Sequence, residues 1–146
     1  MYEYQKSHEM SGRVMPEMTC GVDIVEFERF TQTLKVGGQQ FLSRVYTNAE
    51  LAFCANRLPQ LAARFAAKEA VAKALGTGIE GIAWDEIEVI ADQSGCPFVS
   101  LYGNAATKAE QMQLSTWAVS LSHSSHFAVA FVVASRTNRF DMRESS

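Results

Sequence analysis

The 146-residue sequence predicts an α+β domain, a small antiparallel sheet with helices gathered on one side. Three observations point there. Runs rich in β-branched residues stand near both ends of the chain, TCGVDIV at residues 19–25 and HFAVAFVVAS at 126–135. Between them RFAAKEAVAKALGTG, residues 64–78, has helical spacing and an abrupt glycine stop. After it the period changes, and DEIEVIADQSGCPFVSLYG reads as two short strands around Asp92–Gly95.

Taken in order, TCGVDIV is a short buried strand with Asp23 near its edge, two residues after Gly21. EFERFTQTL then has helical spacing and ends near Gly37-Gly38. FLSRVYT leads to Thr47, which with Glu50 three residues on forms a capping box for a short helix. Pro59 opens the long helix, where the missing N–H of proline costs nothing, and Gly76 ends it. NAATKAEQMQ is a helix on an alanine-rich polar pattern. TWAVSLSH and HFAVAFVVAS are strands joined around Ser124-Ser125. Residues 1–18 read as an extension, 19–135 as the domain and 136–146 as a polar tail.

Composition narrows the function classes. No run of 18 apolar residues exists, so no helix spans a membrane, and the N-terminus has no secretory apolar segment. Cys20, Cys54 and Cys96 are an odd number without close spacing, which suits a reducing cytoplasm. A net charge of −3 argues against nonspecific nucleic-acid binding. Yet Arg29 to Lys73 carries seven basic residues against Glu50 and Glu69, a local balance of +5, whereas Glu80 to Asp92 carries five acidic residues and no basic one. A basic region of this kind suits an anionic ligand or an acidic partner.

On the long helix, Ala66, Ala67, Ala70 and Ala74 share a narrow face that lets another backbone come close. Arg64 and Lys68 share one sector, and Glu69 and Lys73 another. Glu69 could be only the acidic half of an i, i+4 pair, and Asp23 only a solvated strand-end group. Together, as two carboxylates with lysines and arginines beside them, they suit Mg²⁺ and a polyphosphate, because Mg²⁺ takes one or two carboxylates and fills the rest with water and phosphate oxygens. Gly76-Thr77-Gly78 is a helix stop that also lets backbone N–H groups approach a phosphate. His123 and His126 lie at a turn, where they either close it or bind a phosphate; a zinc site would need further ligands that are not in sight. Trp84 and Trp117 read as core or interface residues. From the residues alone, the chain is a Mg²⁺-dependent phosphate-transfer or phosphate-binding domain.

CGVDIVEFERF, FLSRVYTNAEL, RFAAKEAVAKALGTGI, SGCPFVSLYG and VSLSHSSHFAVAFVV, in unbroken order over about residues 20–134, resemble the holo-acyl-carrier-protein synthases. These are the trimeric class of 4′-phosphopantetheinyl transferases. The resemblance implies transfer of 4′-phosphopantetheine from coenzyme A to a serine of an apo acyl carrier protein, with release of 3′,5′-ADP. It implies that Asp23 and Glu69 hold Mg²⁺ and that Lys73 lies near the phosphates. Arg64, Lys68, Gly76, Thr77, Gly78 and His123, with Ser124 beside it, would line the coenzyme pocket. Arg29 and Arg44 would meet the acidic carrier protein, and the sites would be shared between neighbouring subunits of a homotrimer. Partner subunits would then bury the apolar last strand and Trp117. The serine proton has two candidate acceptors, Glu69 and a metal-bound water. Two other readings stay open: an idle module that binds coenzyme A or a carrier protein, and a hydrolase in which water replaces the serine.

Overall fold

The computed structural model describes residues 16–136; the expectations for residues 1–15 and 137–146 lie outside the described residues. Five strands and four helices follow one another as β1 (Met18–Glu26), α1 (Phe27–Val45), α2 (Asn48–Cys54), α3 (Leu58–Ala74), a 3-10 turn (Trp84–Glu86), β2 (Ile87–Ala91), β3 (Pro97–Leu101), α4 (Gly103–Gln111), β4 (Leu114–His123) and β5 (Phe127–Arg136). The main sheet is antiparallel in the order β1-β5-β4, and β2 and β3 form a separate two-stranded hairpin. The class is the expected α+β, divided between two sheets.

Helix α3 is the centre of the molecule. Its Ala62, Ala66, Ala67, Ala70 and Ala74 are buried, and the helix packs on β1 and β5. The close approach that the alanine face predicted occurs at Gly21, where an added Cβ would lie 1.9 Å from the carbonyl oxygen of Ala70. Along β1 the residues alternate, so that Gly21, Asp23 and Val25 face α3 while Val22 and Ile24 face outward. Asp23 therefore stands within the strand, opposite Ala130 of β5, rather than at its edge.

Glycine breaks the first helix where the sequence placed the break, at Gly38 (φ 53°, ψ −142°), but the chain becomes helical again up to Val45. The stretch FLSRV is thus a second helical arm. Phe41 and Val45, one turn apart, are both buried, and Phe41 packs on Phe30 with ring centroids 6.1 Å apart. Burial of that pair continues the helix past a residue that by itself would end it. The Thr47–Glu50 capping box forms as the sequence required. Trp84 stacks on Phe65 at 5.0 Å. Trp117 lies on the helix-covered side of β4, over a cleft it shares with Val99, Leu101 and Leu114 of its own chain.

Candidate active site

Two groups of side chains stand on opposite sides of α3. The first is built where Gly21 lets the helix settle on β1. Glu69 and Lys73 flank Ala70, the residue in contact with Gly21, so the contact carries both toward Asp23. Lys73 Nζ donates to Asp23 Oδ1 at 3.1 Å and to the Val22 carbonyl at 2.8 Å. Lys73 thus reaches across to a strand 50 residues away, beyond the local pairing with Glu69 that its spacing suggested. Burial raises the Asp23 carboxyl above its ordinary value, against the pull of Lys73. Burial also raises Glu69, and the nearby Asp23 charge raises it further. Two partly desolvated carboxylates that repel one another form an acidic pair that a cation would relieve. Among the described residues no three of His, Cys, Asp and Glu gather into a metal cage. A divalent ion here would take Asp23 and Glu69 and complete its shell with water or ligand oxygens, which is the habit of Mg²⁺.

The helix ends beside this pair. Gly76 has φ 76° and donates its N–H to the Lys73 carbonyl at 2.9 Å, and Thr77 Oγ1 donates to the Gly78 carbonyl at 2.8 Å. Gly78 has φ 58° with nothing within 4 Å of where a Cβ would stand, so it serves the backbone angle and not a close contact.

The second group lines a pocket of about 220 Å³. One wall is α2 and α3, with Phe53, Gln60 and Arg64; a second is the hairpin, with Ala91, Gly95 and Pro97; the floor is Leu121 and His123 of β4. Arg64 is 4% exposed, donates from Nε to the Val89 carbonyl at 3.1 Å, and lays its guanidinium 4.3 Å from the centre of the Phe53 ring. Arg64 and His123, 59 positions apart in the sequence, thus line one cavity.

Not every candidate belongs to these groups. Lys68 is a correction. It is fully buried, and its ammonium donates to Glu50 Oε1 at 2.6 Å, to the Trp84 carbonyl at 3.1 Å and to the Ile87 carbonyl. Three acceptors satisfy its three protons, so none remains for a ligand phosphate. Its sector is that of Arg64, as the helical wheel says, but its head turns into the core. Ser124 closes the β4–β5 turn: its Oγ accepts from the N–H groups of His126 and Phe127, and its N–H donates to the Phe127 carbonyl. Arg29 and Arg44 are exposed on α1, and Arg44 borders a groove of about 520 Å³ at the kink, with Thr33, Val36 and Phe41.

Sequence reasoning missed the hairpin wall and Phe53. It also read Glu50 only as a helix cap, because a capping box uses one carboxylate oxygen and nothing local shows where the other goes. That oxygen accepts from the Val89 N–H at 3.0 Å, 39 residues away.

The sequence model of the 4′-phosphopantetheinyl transferase superfamily matches residues 19–132. A holo-acyl-carrier-protein synthase of Herpetosiphon aurantiacus is 46% identical over 123 residues, 80% of this chain and 97% of that relative. The crystal structure of the Helicobacter pylori holo-acyl-carrier-protein synthase in complex with coenzyme A superposes with a TM-score of 0.73 at 30% identity, over 80% of this chain and 99% of that one. The Neisseria meningitidis synthase does so at 0.73 and 38% identity, over 81% and 98%. The chain therefore belongs to the 4′-phosphopantetheinyl transferase superfamily.

Proposed function

We propose that the two groups of side chains divide one reaction between them, the acidic pair serving the phosphates and the pocket serving the rest of the donor. The reaction is that of the holo-acyl-carrier-protein synthases: 4′-phosphopantetheine passes from coenzyme A to a serine of apo acyl carrier protein. The serine oxygen forms a bond to the β-phosphorus, the phosphoanhydride bond breaks, 3′,5′-ADP leaves, and the serine gives up its proton. Mg²⁺ held by Asp23 and Glu69 would neutralise charge on the phosphate oxygens and fix their geometry. Lys73, anchored on Asp23 and the Val22 carbonyl, adds positive charge where the leaving phosphate becomes more negative. Glu69, beside Asp23 at the acidic pair, and a metal-bound water are the two candidate acceptors for the serine proton. Arg64 and His123 offer cationic and hydrogen-bonding contacts to the donor's other phosphate, and Phe53 and Pro97 offer it apolar surface. The Gly76–Gly78 turn lies at the end of Lys73's helix, and beyond Gly76, whose N–H closes on the Lys73 carbonyl, it would bring the backbone of Thr77 and Gly78 toward the same phosphates. Arg29, Arg44 and the groove at the α1 kink form the surface for the acidic carrier protein. A cytoplasmic location fits three cysteines that stand as free thiols.

The observation that carries this reading is the placement of the two groups around α3. Arg64 and Lys73 lie nine residues and about 13 Å apart along the helix, on roughly opposite sides of it. One chain therefore aims its pocket and its carboxylates in different directions. A homotrimer with shared sites resolves this, because rotation sets the pocket of one subunit beside the carboxylates of the next. The outer face of the main sheet supports such an assembly: Val22 stands opposite Phe131, and Ile24, 60% exposed, continues an apolar surface with Met18 and Phe127.

Intact mass of a fatty-acid apo carrier protein, after incubation with coenzyme A and Mg²⁺, is expected to rise by one phosphopantetheine and not to rise with EDTA. Release of 3′,5′-ADP without carrier protein would favour the hydrolase reading instead. Phe131→Glu, on the outer face, is expected to give monomers in sedimentation and to lose activity although no candidate site residue is touched. A folded monomer with full activity would sink the shared-site arrangement. Mixing Glu69→Gln and Arg64→Glu chains under exchange conditions is expected to restore partial activity, since some interfaces then pair an intact pocket with intact carboxylates.

A further inference from the structure

We infer that Glu50 and Lys68 are positioning residues for the donor pocket: their buried pair holds the β2–β3 hairpin, one wall of that pocket, against α2 and α3. The inference rests on the reading that the pocket takes coenzyme A.

A two-stranded hairpin is marginal in isolation and keeps its place only by what it packs against. This one shares no strand ladder with the main sheet. Its outer edge is β2, and an uncovered edge would leave a row of backbone groups without partners. Side chains from the helices take that row at Ile87 and Val89. Lys68 donates to the Ile87 carbonyl, Glu50 Oε2 accepts from the Val89 N–H at 3.0 Å, and the Val89 carbonyl accepts from Arg64 Nε at 3.1 Å. The 3-10 turn takes a further group, since the Ile87 N–H donates to the Trp84 carbonyl, which also receives Lys68 at 3.1 Å. Three side chains thus stand in for a third strand.

Glu50 is the common point. Its Oε1 accepts from the Thr47 N–H at 2.9 Å and from Lys68 at 2.6 Å while Oε2 holds Val89, so one fully buried carboxylate ties α2, α3 and β2 together. The pocket opens across this joint. Phe53 lies on the helix that Glu50 caps, Arg64 one turn before Lys68, and Ala91 two residues beyond Val89. Arg64 is aimed by the same Val89 whose N–H Glu50 holds, so a shift of β2 changes both the width of the pocket and the direction of its guanidinium. Neither Glu50 nor Lys68 lines the pocket itself.

Two double variants test this, E50Q/K68M and E50L/K68M. Each removes both charges, so neither strands an unpaired ion in the core. Glutamine keeps a carbonyl oxygen for the Val89 N–H, and leucine does not. The expected result is a KM for coenzyme A raised in both, since both lose Lys68 and its bond to the Ile87 carbonyl, by at least about tenfold in E50L/K68M and by clearly less in E50Q/K68M, which keeps the Val89 contact, with kcat within about threefold in both. Amide hydrogen exchange at Val89 is expected to quicken in the leucine variant only. Equal KM values in the two variants, or a fall in kcat with KM unchanged, would overturn the inference. Arg64→Ala separates it from the reading beneath it. If Arg64→Ala leaves coenzyme A affinity unchanged, the pocket assignment fails and the inference with it. If Arg64→Ala weakens binding and E50L/K68M does not, positioning alone fails. Should the leucine variant not fold, wild-type exchange decides: saturating coenzyme A must protect Val89 more than Val132 in the main sheet, and equal protection overturns the inference.

Discussion

Glu69→Gln is expected to leave the fold intact, to lower transfer by at least about a hundredfold, and to raise the melting temperature of the metal-free protein at neutral pH. The loss follows from removing one of the two carboxylates proposed to place positive charge on the reacting phosphates, the kind of electrostatic contact whose deletion costs about 10²–10³ in rate. The gain in stability follows from linkage. Burial and the Asp23 charge raise the folded-state value of Glu69 above 4.5, so the fold disfavours the ionised form. A raised group contributes stability that is complete below its unfolded value and is lost as pH rises through the folded one. The wild type should therefore melt below the variant at pH 7, and the gap should close as pH falls toward 4.5. Added Mg²⁺ should stabilise the wild type and leave the variant nearly unmoved, because the ion relieves a repulsion that the variant lacks. A melting temperature that did not change with Mg²⁺ in the wild type would sink the assignment of Asp23 and Glu69 as a metal pair.

Gly21→Ala is expected to cost more than about 4 kcal/mol, enough to unfold much of a protein of ordinary stability. The new Cβ would stand 1.9 Å from the Ala70 carbonyl oxygen and 2.8 Å from its carbon, and these are backbone atoms that no rotamer can withdraw. Relief would require α3 to lift from β1. That movement would carry Glu69 and Lys73 away from Asp23, so any folded fraction should also lose activity. Gly78→Ala makes the contrast. There a Cβ meets nothing within 4 Å, and the cost comes from φ 58°, about 1–2 kcal/mol for a left-handed angle. Urea midpoints of the two variants should therefore differ widely, and similar midpoints would contradict the close packing of α3 on the sheet.

The sequence alone determined more of this protein than single elements. Gly37-Gly38 marked the kink in α1, though not its end, and Pro59 and Gly76 marked the start and stop of α3 to within a few residues, because proline and glycine act through their own backbones. The Thr47–Glu50 box and the Asp92–Gly95 turn are likewise local chemistry, and both formed where their residues stand. The alanine stripe announced a close backbone contact, although its partner, Gly21, lies 49 positions away. The division of α3 into an Arg64 sector and a Glu69–Lys73 sector was also legible, since a helical wheel needs no tertiary knowledge.

Only the tertiary structure decided which groups remain available for chemistry. Lys68 and Lys73 look alike in the sequence, each a lysine beside Glu69 on the helix surface. Packing sends Lys68 to Glu50 and two carbonyls, where every proton is used, and leaves Lys73 partly exposed beside Asp23. Asp23 looked like a strand-end group until β5 paired on one side of its strand and α3 covered its inner face. Charge and periodicity are properties of neighbours along the chain, whereas burial and hydrogen-bond supply depend on residues far along it. Those long-range contacts made one lysine part of the core and left the other beside the carboxylates.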